Sequence, residues 1–287
     1  MTTKLTVTRP GALTTIQDTG RTGHAHLGVP RSGALDAPSM DLANRLAGNP
    51  EGTAVLETTL TGCALRPDAD VTLVVGGAPC RVTLDGRPAP WGAPVRVPAG
   101  AVLDAGPATA GVRSYVAVAG GIAVPPVLGS RSTDLLSGLG PGPLAQGDVV
   151  PVGRPEPAAA PALPAAPPWP APPTALVLPA RPGPRADWFT AGALRTFLTA
   201  TYTVSAQSNR IGLRTGGPAL ERGRAGELPS EGMVLGAVQV PPDGRPVVFL
   251  HDHPTTGGYP VIAVVAPEAL AAAAQAVPGT PVRFVRH

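Results

Sequence analysis

A mostly β fold with a few helices is what this sequence predicts, and three observations predict it. Short β-type runs recur between turn signals along the chain. The 287 residues include 36 Gly and 38 Pro, which cost about 1 and about 3 kcal/mol in a helix interior, so a coiled coil or helical bundle is excluded. A proline-rich stretch separates two sets of runs with the same plan, each suited to a barrel or sandwich.

In the first set the strand candidates are LTVTR at 5–9, VTLVVGG at 71–77, CRVTLDG at 80–86, VRVPAG at 95–100 and YVAVAGG at 115–121. One helix is expected over 36–47. Asp36 can cap it, Pro38 suits its first turn, Met40, Leu42, Ala43 and Leu46 supply an apolar face, and Gly48 closes it. The second set offers ALVLP at 175–179, YTVS at 202–205, VVFL at 247–250, YPVIAVV at 259–265 and VRFV at 282–285. A helix from Asp187 to about Leu198 fits the spacing of Phe189, Ala193 and Phe197, and another opens with Pro267 and runs to Val277.

Between the sets, residues 154–173 read RPEPAAAPALPAAPPWPAPP, with nine prolines in twenty positions. Such a segment neither pairs as a central strand nor continues as a helix, and tends to extended polyproline geometry. The expected domains are therefore 1–153 and 174–287, joined by a linker at 154–173. Trp169 is expected to anchor that linker to one half, because an indole left in a free tether exposes apolar surface for nothing.

Net charge is +3, with 22 basic residues dispersed among 19 acidic ones. No basic stripe points to nucleic acid. Lys4 is the single lysine, and its context is wrong for a phosphate-loop lysine, a Schiff base or a biotinyl carrier, so none is expected and no biotin is expected on this chain. The start MTTKLTVTRPG lacks a hydrophobic signal core, and apolar runs are too short to cross a bilayer. A soluble, cytoplasmic protein is expected. Cys63 and Cys80 share no paired motif and read as reduced, buried thiols.

Four segments combine glycine, which lets backbone amides approach a ligand, with side chains that bind anions or move protons. Residues 13–36 concentrate Gln17, Asp18, Arg21, His24, His26 and Arg31; they read either as a site or as an ordered loop whose Asp and Arg pair. His24 and His26 would share a strand face, but no third ligand is fixed by spacing, so no metal is expected. Residues 120–134 carry GSRST, placing Ser130, Arg131, Ser132 and Thr133 on a turn suited to clamp carboxylate or phosphate, or to brace Asp134. Residues 205–217 carry Asn209, Arg210 and Arg214 after a strand, as a site or as surface charge. Residues 230–265 are the richest. VPPDGRP reads as a turn between two strands, and LHDHPTTGGYP sets Asp252 between His251 and His253 ahead of an expected amide nest at 256–258. In strand geometry the two histidines point away from Asp252 unless Pro254 bends the chain.

In order and spacing, PGALTTIQDTGRTG at 10–23, GVPRSGALD at 28–36, NRLAGN at 44–49, LE at 56–57, SYVAVAGGI at 114–122, GSRST at 129–133, SNRIGLR at 208–214, SEGMVLGAVQVPPDGRP at 230–246 and TTGGYP at 255–260 resemble one family. It is the biotin-dependent carboxyltransferase family that includes the C subunit of bacterial 5-oxoprolinase, the Kip-type antagonist of a kinase inhibitor, and the urea carboxylase segment often labelled allophanate hydrolase subunit 2. The resemblance implies a cyclophilin-like, mostly β-barrel fold in two related halves. It also implies ATP-dependent opening of 5-oxoproline to glutamate, with ATP and Mg as the expected cofactors and with a B-type subunit and a lactam-utilisation-type A subunit as partners. A carboxyltransferase acting on urea or another amide, and a non-catalytic Kip-type regulator, are the alternatives. On this reading Asp252, Asp18 and Arg131 are the expected catalytic residues. Ser132, Thr133, Arg210, Gln239, Thr255, Thr256, Gly257, Gly258 and Tyr259 are expected to bind the cofactor. The chain departs from the family pattern at Gly142, where an Arg is usual, and at Pro254, where a Gln is common.

Overall fold

The computed structural model describes residues 3–155 and 168–287. Most of the expected linker, 156–167, lies outside the described residues. The chain divides into two compact units, one of 1–21, 32–134 and 138–172, the other of 22–31, 135–137 and 173–287.

The first unit is a pair of antiparallel sheets. One has six strands, in the order Val149–Pro151, Lys4–Arg9, Cys63–Pro67, Leu103–Ala108, Cys80–Leu84 and Arg87–Ala89; the other has five, in the order Thr14–Gln17, Val55–Thr59, Arg113–Val118, Val71–Gly77 and Pro94–Val97. Alternate residues of both meet in one core, Leu5, Val7, Leu65 and Leu103 from the first against Leu56, Leu73, Val75, Val116 and Val118 from the second. The second sheet is covered on its other face as well. There Val55, Val74, Tyr115 and Ala117 pack against Met40, Ala43, Leu46 and Ala47 of helix α1, Ala37–Ala47. A strand buried on both faces has little polar side to show, which is why 71–77 reads as an apolar run broken only by Thr72.

Helix α1 forms as its sequence expects. Asp36 caps it by accepting from the Ser39 amide, Pro38 lies in the first turn, and Gly48 closes it at φ +78°. Trp169 anchors its segment to this unit. Its ring stacks at a tilt on Trp91 with centroids 5.3 Å apart, donates to the Gly92 carbonyl, and fills the space that a side chain at Gly76 would need. Cys63 and Cys80 are free and buried, and burial pushes the Cys63 thiol up to about 12.

The second unit is a closed barrel in the order Leu176–Pro182, Val261–Val265, Ala237–Gln239, Val247–Phe249, Gly212–Gly216, Tyr202–Val204 and Pro281–Arg286. The last strand returns to the first in parallel, Leu176 opposite Val282. Phe284 is the hub of its core, stacked on Phe197 at 4.4 Å and edge-on to Tyr202 at 5.6 Å. Helix α2, Ala191–Thr199, supplies Phe197. It starts later than the sequence suggests. Asp187 sits in a single 3-10 turn, Phe189 is extended, and Thr190 is the residue whose hydroxyl caps the helix at Ala193. The C-terminal helix α3 covers only Leu270–Gln275, preceded by a 3-10 turn at Pro267–Ala269. Among the described residues no helix is long and apolar enough to cross a membrane.

Candidate functional site

Each unit holds one cluster of the residues that the sequence singles out. In the first, Asp18 follows directly on strand Thr14–Gln17 and is almost wholly buried. Its Oδ1 accepts from the Gly20 amide at 2.8 Å and from the Ser130 and Ser132 hydroxyls at 2.6 Å each, and its Oδ2 accepts from the Arg131 amide at 2.6 Å. Burial alone would raise its pKa; the four donors outweigh it, and the carboxyl lies below its usual value. The same turn is stitched to the strand by Thr133, whose amide donates to the Ile16 carbonyl and whose own carbonyl accepts from Gln17 Nε2.

Asp18 is therefore a saturated acceptor rather than an open base, and the Ser130 and Ser132 hydroxyls are spent on it. Ser132 and Thr133 are buried, so neither offers its hydroxyl outward. Arg131 is different. Its Nε donates to the Val124 carbonyl at 2.8 Å, and both Nη groups are left without a partner among the described residues. A guanidinium fixed at one nitrogen with the others free is a fork for a phosphate or carboxylate. Arg21, to which the sequence assigns no role of its own, is buried beneath this turn, donating through Nη2 to the Ser132 carbonyl and through Nε to the Val127 carbonyl, with Nη1 unpartnered. Nothing in its spacing marks it; only burial does.

In the second unit Asp252 and Arg210 are 0% and 1% exposed and form a bidentate pair, Nε to Oδ2 at 2.9 Å and Nη2 to Oδ1 at 3.1 Å. The Asp252 amide also donates to the Arg210 carbonyl, and the Leu250 amide to the Ile211 carbonyl. The pair thus ties residues 250–252 to the loop that leads into strand Gly212–Gly216. Residues 251–252 form a turn, so the strand alternation expected for His251, Asp252 and His253 does not arise, and all three side chains are buried.

The expected nest at 256–258 is not there either. Thr256–Gly257 is a short strand paired with Glu231–Gly232, and neither Gly257 nor Gly258 has positive φ. A nest needs alternating handedness. Gly257 is instead required for space, since a Cβ there would lie 2.8 Å from Gln239 Nε2. Gln239 is held against this arm by donating to the Tyr259 carbonyl at 3.2 Å. Thr256 and Tyr259 are exposed, and Arg222 lies 5.9 Å from the Tyr259 ring centre. Earlier in the chain, His24 and His26 belong to a 3-10 turn at Ala25–Leu27 and its cap rather than sharing a strand face. Among the described residues no group of three His, Cys, Asp or Glu could hold a metal.

Two sheets in one unit, a closed barrel in the other and these turn-borne arginines define the class. The chain belongs to the carboxyltransferase domain family, subdomains A and B, whose pattern it matches over residues 27–286. It is 38% identical to the 5-oxoprolinase C subunit of Escherichia coli K12, over 98% of this chain and 91% of that one. The crystal structure of TTHA0988 superposes with a TM-score of 0.88 at 38% identity, covering 99% of this chain and 56% of the other. The urea amidolyase of Kluyveromyces lactis superposes with a TM-score of 0.90 at 32% identity, where the match covers 99% of this chain but only 18% of that protein.

Proposed function

We propose that this chain is the C-type subunit of an ATP-dependent 5-oxoprolinase, opening 5-oxoproline to glutamate beside a B-type subunit and a lactam-utilisation-type A subunit. The observation that carries this reading is the 38% identity to the E. coli C subunit over 98% of this chain and 91% of that one. The ring amide is resonance-stabilised, and ATP supplies the phosphoryl group that makes its carbonyl carbon open to water. Magnesium would arrive on the phosphates of the nucleotide. What the protein contributes to such a transfer is position and charge.

Arg131 suits that task, with two free Nη groups to grip a phosphate or the substrate carboxylate. Asp18 acts through it as a positioning residue, because it holds the Arg131 amide and both flanking serines; Ser132 and Thr133 frame the same turn. In the second unit Arg210 and Asp252 hold the entry to residues 255–259, where Gln239, Thr255, Thr256, Gly257, Gly258 and Tyr259 form the contact arm. The assembled complex, given 5-oxoproline and ATP, should release ADP, phosphate and glutamate in equal amounts. A correctly assembled complex that releases neither would overturn the proposal.

The structural likeness to a urea amidolyase favours a second reading, carboxyl transfer to urea or a related amide. With Lys4 as its single lysine, this chain would depend on a biotinyl carrier elsewhere. Bicarbonate-dependent and biotin-dependent product formation separates the two.

A further inference from the structure

Residue 253 carries a feature that neither the Asp18 cluster nor the Arg210–Asp252 pair uses. The His253 ring is buried and lies parallel to Phe249, with centroids 5.6 Å apart and planes 5° apart. Its Nδ1 is 2.7 Å from the Pro254 carbonyl oxygen. A carbonyl oxygen can only accept, so Nδ1 carries the proton and Nε2 of the neutral ring is a bare lone pair. Nε2 takes no hydrogen bond from any described residue. Its surroundings place it beside the contact arm. Phe249 packs in one cluster with Met233, and Met233 and Gln239 both crowd Gly257.

The donors and acceptors around this arm are unbalanced in a useful way. The 5-oxoproline anion offers acceptors at its carboxylate and ring carbonyl and one donor, the ring N–H. Arg222, beside the Tyr259 ring, offers donors for the former. The N–H needs an acceptor, and the carboxylate of Asp252 is already engaged by Arg210. Given 5-oxoproline as the substrate, on which this rests, we infer that His253 Nε2 is the acceptor for the ring N–H of the substrate, which makes His253 a specificity-determining residue. The tautomer is locked by the backbone of the neighbouring residue, so recognition costs no rearrangement of the ring. Burial holds the imidazole below its ordinary pKa, against the opposing pull of the Pro254 carbonyl and of Asp252, which keeps the acceptor neutral at physiological pH.

Two measurements test this. Nitrogen-15 spectra of the full chain should show His253 protonated at Nδ1 and bare at Nε2; the opposite tautomer would overturn the inference without touching the oxoprolinase reading. In the assembled enzyme, wild type should favour 5-oxoproline over its N-methyl analogue, which lacks the donor. His253→Asn, whose amide reaches only as far as Nδ1, should raise KM for 5-oxoproline about tenfold with kcat little changed, as expected for one lost neutral hydrogen bond, and should erase the preference. His253→Gln, whose amide reaches the Nε2 position, should recover most of it. Turnover and discrimination unchanged in His253→Asn would sink the inference alone; no turnover by wild type would remove the reading beneath it. Unfolding temperatures of both variants report whether either has simply lost its fold.

Discussion

The two units anchor a loop with a buried carboxylate in opposite ways. Asp18 is surrounded by neutral donors, two hydroxyls and two amides, and no cation shares its oxygens among the hydrogen bonds described. Asp252 is clasped by one guanidinium through two parallel bonds. The first arrangement spreads its dependence over several neutral partners and leaves the Nη groups of the nearby Arg131 without a partner among the described residues. The second concentrates it in one pair and spends the arginine. A turn that must keep a cation available is better served by the first, and a loop that must keep its shape by the second.

Breaking the concentrated pair should cost most. Asp252→Ala takes the bidentate partner from a buried guanidinium, and removal of one member of a buried pair costs about 3–5 kcal/mol. Asp252→Asn keeps the shape and loses the charge, and should fall between it and wild type. Urea unfolding checks both. Asp18→Ala should cost less, about 2–4 kcal/mol, because it orphans two hydroxyls and two amides of which some find other partners. Hydrogen exchange sharpens the comparison: the Asp18 variant should lose protection at Gly20 and across 130–133, whose contacts with Asp18 it removes, the Asp252 variant across strand Gly212–Gly216 and residues 250–252.

Acid separates the units next. His253 lies below its ordinary value of 6.5, so the unfolded chain binds more protons than the folded one as pH falls below 6.5, and stability drops in that window. Asp18 lies below its ordinary value of 3.8, so its contribution is complete above 3.8 and is lost as pH falls through the folded value. His253→Gln should flatten the upper step and Asp18→Asn the lower one in pH-resolved unfolding. A single step, unchanged by either variant, would mean that the two clusters do not govern the acid limb.

What is legible in the sequence is what local chemistry dictates. Asp36, Pro38 and Gly48 mark helix α1 because caps act within four residues. The start of helix α2 is obscured because Asp187 offers a capping side chain just where a 3-10 turn intervenes, while Thr190 does the capping. Strand Thr14–Gln17 is easily passed over, since TTIQ has three β-branched residues but is short and lacks apolar alternation; all four residues are buried, and the Ile16 backbone and Gln17 side chain find their partners at Thr133. The site divides the same way. Arg131 and Asp18 are visible as residue types on glycine-rich turns, but Asp18 meets Ser130 across 112 positions and Arg210 meets Asp252 across 42, distances over which no pattern in a single sequence reports contact. The expected amide nest does not form because glycine serves two ends, positive φ and close approach, and Gly257 serves the second.

The smallest expected effect on stability is the most informative about function. Arg131→Ala removes one hydrogen bond to the Val124 carbonyl from a half-buried side chain, a loss of about 1 kcal/mol or less. The Asp18 node survives it, because Asp18 holds the backbone of residue 131 and not its side chain. If the free Nη groups grip the reacting anion, turnover by the assembled complex should nonetheless fall about 100-fold or more, the scale on which one preorganised donor is lost. Arg131→Lys restores the charge but not the fork, and should recover only part of that loss. Full activity in Arg131→Ala would reduce this guanidinium to ordinary charge and leave the Asp18 node as architecture alone.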